Sequence, residues 1–392
     1  MRDVKDLPDA RTMAVNQFDM NFENATLYVG GSSMNSSERI KCVLSGGIPD
    51  RIPVCEQAFW PQTIRRWRNE GLPENTDPVD YLGIDRIVSI AYESGFFPDR
   101  KLIEETEEYL IYFDKFGNKK KEWKEDTPNY GTPQHISPAL KGRSDWRNVR
   151  ARLKASREKI PPQLEGSYRT ARERGDFIYL NVEEPAWFII DRTFGFENGL
   201  SLLLEDRDFS HEIMEALTSF NLDMCRLLIE KGLIPDALYL SSDLCYKKGM
   251  LFSPALYRSL IHPHVQKISD FCSRNNLYLI YHCDGYVRDF IPLLVELGVH
   301  AIEPLEARCG NDVREYKKLF GDSITLFGNI SADILSSDRK HIYHEVTDKL
   351  KIAMGGGRYI FHSDHSIPPT VSFDNYRYAV ALAMEKGRYS GI

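Results

Sequence analysis

Two stretches of this chain end apolar runs in groups that can hold a metal ion or move a proton: Leu277-Tyr-Leu-Ile-Tyr-His-Cys-Asp-Gly285 and Tyr359-Ile-Phe-His-Ser-Asp-His-Ser-Ile367. In a β-strand, side chains two apart share a face, so His282 and Asp284 point together, as do His362 and Asp364. His365 stands where the second run gives way to loop. Imidazole and carboxylate groups suit Zn²⁺, and a catalytic zinc takes three protein ligands plus one open position. His282, Asp284 and His365 supply such a set. The other chemistry open to the same groups is an acid/base site without metal.

Further carboxylates, Glu56, Glu93, Glu183, Glu184, Asp243 and Glu303, end other apolar runs. Crowded carboxylates raise one another's pKa, so they call for a cation or a shared proton. Glu184 and Asp243 are candidate proton donors, although Glu184 ahead of Pro185 also reads as a helix cap. Aromatic residues gather near the same positions, among them Trp60, Tyr92, Trp187 and Tyr246. They suit a flat, aromatic ligand, with some of the set belonging to the core. Asn329, after Gly328, is placed to hydrogen-bond a substrate oxygen or to make a turn.

These residues need a scaffold that brings distant strand ends together. Eight short apolar runs alternate with amphipathic segments, and most runs end in an acid, amide or imidazole. That pattern predicts an α/β fold of the (β/α)8 TIM-barrel type, whose active site lies at the C-terminal ends of its strands. No GxGxxG follows the first strand, which argues against a dinucleotide-binding open sheet. Residues 1–35 lack periodicity and are expected to form an N-terminal arm, and 36–392 a single barrel domain. Residues 97–150 interrupt the alternation. The spacing predicts a β-hairpin inserted after strand two, walling the pocket or making a homodimer contact.

The chain has 392 residues, 42% hydrophobic and 27% charged, with net charge −7. This balance favours neither nucleic acid nor an anionic membrane. Seven scattered cysteines form no CxxC pair, and no apolar run reaches spanning length. Both point to a cytoplasmic protein with reduced thiols.

Several segments, in order, resemble the uroporphyrinogen decarboxylase superfamily, particularly its corrinoid-linked methyltransferase branch. They are Ser37-Glu-Arg-Ile40 with Pro49-Asp-Arg-Ile-Pro53, Gly83-Ile-Asp85, Glu184-Pro-Ala-Trp187, His282 to Gly285, Gly298 to Pro304, Leu326-Phe-Gly-Asn329 and Asp364-His-Ser-Ile-Pro-Pro369. The resemblance implies a (β/α)8 barrel. The decarboxylases carry Arg-Gln-Ala-Gly-Arg after the first strand, where this chain has Glu56-Gln-Ala-Phe-Trp60. Asp85 stands near that family's aspartate, but without the arginines an acidic tetrapyrrole fits poorly. The methyltransferase branch binds zinc through His-x-Cys and a later Cys. Here His282 is kept, while Asp284 and His365 stand at the cysteine positions. Oxygen and nitrogen donors suit a Lewis acid on an oxygen-bearing group better than a thiolate-forming site. The resemblance therefore implies an O-demethylase-like enzyme with zinc, a small methoxy-aromatic methyl donor, and a separate protein carrying the corrinoid that accepts the methyl group. The alternative is a decarboxylase-like lyase for another carboxylated substrate, with Asp85 or Asp243 stabilising charge.

Overall fold

A computed structural model describes residues 34–389, apart from 98, 99, 126, 128 and 129. The expected N-terminal arm, residues 1–35, lies outside the described residues but for its last two.

Seven parallel strands form one sheet, in the spatial order Ile87–Ile90, Phe177–Glu183, Ala237–Ser241, Tyr278–His282, Ala301–Glu303, Thr325–Phe327 and Tyr359–Ile360. Neighbours in space are neighbours in sequence apart from the insertions, as short right-handed βα connections require. Val54 pairs in parallel with Phe361, and Cys55 with Asp85. Residues 52–56 thus stand between the last and first strands of the sheet and span its gap. The register sets Glu183 beside Ser241, Ser241 beside His282, and His282 beside Glu303. One row of polar side chains therefore crosses four strands at their C-terminal ends.

The strands from Ala237–Ser241 onward are largely buried on both faces, which is why they read as nearly continuous apolar runs; Ile87–Ile90 buries only Ile90. Phe177, Ala237, Tyr239, Ile280, Ala301, Phe327 and Ile360 point inward and pack with Ile40, Val43 and Leu44 of the helix Ser36–Leu44. That helix seals the N-terminal end of the barrel. Alternate residues such as Ile178, Leu180, Leu238, Leu240, Leu279 and Tyr281 face the surrounding helices instead.

The sealing helix is capped by Asn35 and Glu38, whose side chains accept from each other's backbone amides at 2.9 Å. The Ser36 hydroxyl accepts from the Arg86 amide at 3.0 Å. Asp85 ties this end together. It is ion-paired with Arg39 of the sealing helix and with Arg51 at 2.6 Å, and it accepts from the Val54 amide at 2.9 Å.

The insertion is larger than a hairpin. Lys101–Glu105, Tyr109–Phe113, Lys119–Trp123 and Gln134–Ser137 form a four-stranded antiparallel sheet. The alternating run 101–113 is not one strand because Thr106 turns the chain: its hydroxyl accepts from the Glu108 and Tyr109 amides. The polar stretch that follows carries two separate helices, Arg143–Val149 and Leu164–Arg174. Pro161 and Pro162, which donate no amide, lie in the break.

Candidate active site at the barrel mouth

His282 ends its strand pointing inward. Its Nδ1 lies 2.6 Å from Glu303 Oε2, and Glu303 also accepts from the Tyr239 hydroxyl at 2.6 Å. Tyr239 is reached in turn by the Gln57 amide nitrogen at 3.1 Å. A buried carboxylate on one ring nitrogen fixes the tautomer and leaves Nε2 as the free ligand atom, an arrangement characteristic of metal-binding histidines. Nε2 faces Asp243 Oδ1 at 3.5 Å and Asp284 Oδ1 at 4.0 Å.

Asp284 is carried beyond the strand by a turn at Gly285. That glycine has φ +89°, and a Cβ there would stand 2.7 Å from the Tyr246 amide nitrogen. No other residue type allows the strand end to approach the hairpin Cys245–Tyr246/Gly249–Met250 so closely. His365, on the loop after the last strand, places Nε2 4.0 Å from Asp284 Oδ2 and 3.8 Å from Glu306 Oε1. Arg308 reaches both Glu306 at 2.6 Å and His365 Nε2 at 2.9 Å.

The three residues selected from sequence as metal ligands are therefore brought to one rim, but not as one triad. Among the described residues, the donor atoms fall into two groups, Asp243–His282–Asp284 and Asp284–Glu306–His365, each within 4.8 Å internally. Asp284 belongs to both. Asp243, read from the sequence as a candidate proton donor, stands among the groups that could hold an ion. Glu306 escaped the sequence reading because it lies beyond a strand end, after Pro304, where the alternation no longer indicates direction.

Charge at this rim follows from burial and pairing. Burial opposes ionisation of His282, yet Glu303, Asp243 and Asp284 outweigh it and raise its pKa well above the usual imidazole range. Burial likewise opposes ionisation of Asp243 and Glu303, and His282 holds both below the usual carboxylate range. Asp284 is pushed up to about 6 by burial, with Asp243 and Glu303 adding to the effect and the two histidines opposing it. Acids crowded this way are stabilised by a cation. The oxygen and imidazole donors fit a divalent ion of the zinc type.

Four other sequence-selected residues are not at the rim. Asp85 is at the opposite end of the barrel, with its carboxylate already held by two arginines and an amide. Glu184 is fully buried on the helix side of the wall and caps Pro185–Trp187 by accepting from the Trp187 amide at 2.6 Å. Burial raises its carboxyl to about 7. The parity of the strand explains this: Glu183 faces the mouth, so Glu184 cannot. Asn329 is fully buried at φ +76°. Its side chain accepts from the Val313 amide and donates to the Leu305 and Asn311 carbonyls. It makes a turn and has no donor left for a ligand. Tyr92 is buried, its hydroxyl donating to Asn221 at 2.7 Å.

Trp60, Trp187 and Tyr246 remain accessible. Tyr246, on the hairpin beside Gly285, is 48% exposed. Trp60 packs edge-on against Tyr130 of the insertion at 5.7 Å. A cavity of about 340 Å³ joins Tyr92, Asn181, Glu183 and Arg192 to Asp114, Lys115, Phe116 and Lys120 of the insertion. The insertion thus walls one side of the mouth. The carboxylate after the first strand is not a substrate grip: Glu56 is buried 2.9 Å from His362 and accepts from Ser363 and Tyr376.

Over residues 186–385 the sequence matches the family model for uroporphyrinogen decarboxylase (URO-D). The chain belongs to the uroporphyrinogen decarboxylase family. A solved structure of a methyltransferase from Methanosarcina mazei is similar over 90% of this chain and 99% of its own, with 17% identity and a TM-score of 0.60. A β-(1,4)-mannanase from Podospora anserina aligns over 92% of this chain and 66% of its own at 8% identity; its TM-score of 0.39 carries no argument. A search of curated proteins returns no match. The family's fold accounts for the curled parallel sheet. The Arg-rich grip of its decarboxylases is absent, and the site lies instead among acids and imidazoles.

Proposed function

We propose that this protein is a metal-assisted methyltransferase, moving a methyl group from a methoxylated aromatic compound to the cobalt of a corrinoid carried by a partner protein. The observation that carries the reading is the meeting of His282 and His365 on the two oxygens of Asp284 at the mouth. The likeness in fold to a methyltransferase supports it.

His282, Asp284 and His365, joined by Asp243, would hold the ion, and Glu303 would keep the His282 imidazole in the orientation that presents Nε2. A bound divalent cation supplies Lewis acidity, which makes an ether oxygen a better leaving group. The donor set is consistent with that role, since oxygen and nitrogen ligands leave an ion more electrophilic than thiolates do. Glu184 cannot act as the proton donor from behind the wall. Trp60, Trp187 and Tyr246 provide flat surfaces near the rim for an aromatic donor and for the incoming corrinoid protein. Turnover of methoxylated aromatics with a reduced corrinoid protein as acceptor tests the reading. His282→Ala is expected to abolish methyl transfer together with metal binding; full transfer by that variant would end the assignment.

The alternative lyase is favoured by one observation, the Lys115, Lys120 and Arg192 cations in the cavity beside the mouth, which a carboxylated substrate would have to win from Glu183 and Asp114. Release of CO₂ from such a substrate, without any corrinoid, would establish it instead.

A further inference from the structure

The site has a symmetry that a single ion does not use. Asp284 turns one oxygen to each histidine: Oδ1 lies 4.0 Å from His282 Nε2 and Oδ2 lies 4.0 Å from His365 Nε2. Each histidine has a second carboxylate on the same ring nitrogen, Asp243 at 3.5 Å and Glu306 at 3.8 Å. Each also has an outer carboxylate on its other nitrogen, Glu303 at 2.6 Å and Asp364 at 3.7 Å. Glu303 fixes the His282 ring by a hydrogen bond, whereas Asp364 stands behind His365 as a charge while holding the Ala307 and Ala332 amides; both imidazoles aim at oxygens of one aspartate.

We propose that the mouth binds two divalent cations bridged by the Asp284 carboxylate, one on Asp243 and His282 and the other on Glu306 and His365. This rests on the metal reading above and extends it from one ion to two. Zinc holds nitrogen and oxygen donors at about 2.0–2.2 Å, so donors around one ion stand roughly 3.4 Å apart and at most about 4.4 Å. The spacings within each group are near that range. The two histidines fall in different groups. One ion serving both would have to pull them together, whereas two ions need only small closures. A bridging carboxylate is compatible with the separation of about 3.5–4 Å found in two-metal sites. The sign of the charge agrees: the carboxylates Asp243, Asp284, Glu303, Glu306 and Asp364 outnumber the cations that face them, Arg308, Arg192 and His362.

The two positions are not equal. Arg308 contacts Glu306 and His365 at 2.6 and 2.9 Å and so competes with the ion between them. Its side chain is 57% exposed and is free to swing into solvent. The Asp243–His282 position fills first and the Glu306–His365 position second, more weakly.

Metal-stripped protein reconstituted separately with Zn²⁺ and Mn²⁺ tests this by elemental analysis and titration calorimetry. The expected result is two ions per chain in two steps, with an exchange-coupled spectrum from the Mn²⁺ form. His365→Ala should leave one ion, and Arg308→Ala should tighten the second step about tenfold. Circular dichroism of the stripped variants separates loss of a ligand from loss of fold. One uncoupled ion per chain, retained by His365→Ala, would overturn the bridged pair while leaving the proposed function standing. No bound ion at all would overturn both.

Discussion

Glu303, the last residue of its strand, and Glu184, the first residue past its own, are both buried carboxylates, yet they do different work. Glu303 is matched by a cation-forming partner, His282, and by a phenol. Its replacement by glutamine keeps the shape but weakens the hold on the imidazole. Metal affinity should fall about 10–100-fold, a loss that calorimetric titration would read. Glu184 faces no cation, and its carboxyl sits at about 7. An unfolded glutamate ionises near 4.3, so between roughly pH 4.3 and 7 the unfolded chain loses a proton that the folded chain keeps. Stability should therefore decline as pH rises through that window, by on the order of 3 kcal/mol, and level off above it. Glu184→Gln removes the ionisation while its oxygen can still cap Trp187. Thermal melts from pH 5 to 8 should show the decline in the parent and a flatter profile in the variant. Equal slopes would count against the burial argument.

At the level of elements, the sealing helix and the insertion have separable tasks. Asp85 joins the helix Ser36–Leu44, through Arg39, to Arg51 and the segment that spans the sheet's gap. Removing one partner of a buried ion pair costs about 3–5 kcal/mol when the other is left charged and unpaired. Arg39 keeps a second partner in Asp50 at 2.7 Å, so Asp85→Ala is expected to lower unfolding free energy in denaturant titrations by less than that, about 2–3 kcal/mol, with metal content per folded chain unchanged. Loss of metal with unchanged stability would return Asp85 to the site. The insertion, by contrast, walls the mouth without supplying any of the candidate ligands. Replacing residues 100–137 by a short linker should preserve metal binding and raise KM for the small substrate, as steady-state kinetics would show.

For the molecule as a whole, the barrel has one sealed end and one open end. The helix Ser36–Leu44 occupies the first, so any large corrinoid partner must approach the second. Tyr246 stands 48% exposed on that rim, on the hairpin against Gly285. A charged substitution there, Tyr246→Glu, should raise KM for the corrinoid protein several-fold through desolvation of the new carboxylate. The metal content should change little, since Tyr246 supplies none of the candidate ligands. A partner whose kinetics ignore the change would have to dock elsewhere.

The chain alone made the curled parallel α/β sheet legible, though not the four-stranded insertion. Apolar runs ending in His282, Glu303 and Asp364 have no good solution except parallel strands buried on both faces, with their polar ends in one place. It also singled out His282 and Asp284 by period-two parity, and His365 as the imidazole where the second polar-tipped run gives way to loop. Parity does not extend past the strand. Glu306, which follows Pro304, and the pairing of Asp284 with both histidines depend on how loops fold back over the mouth, and only the tertiary structure decided them. The same is true of Asn329 and Glu184. Their side chains carry chemistry on paper, but neighbouring backbone amides and carbonyls, contributed by segments distant in sequence or by the next helix turn, had already claimed them. Sequence identifies the groups that can react; the packing of other segments decides which are left free to do so.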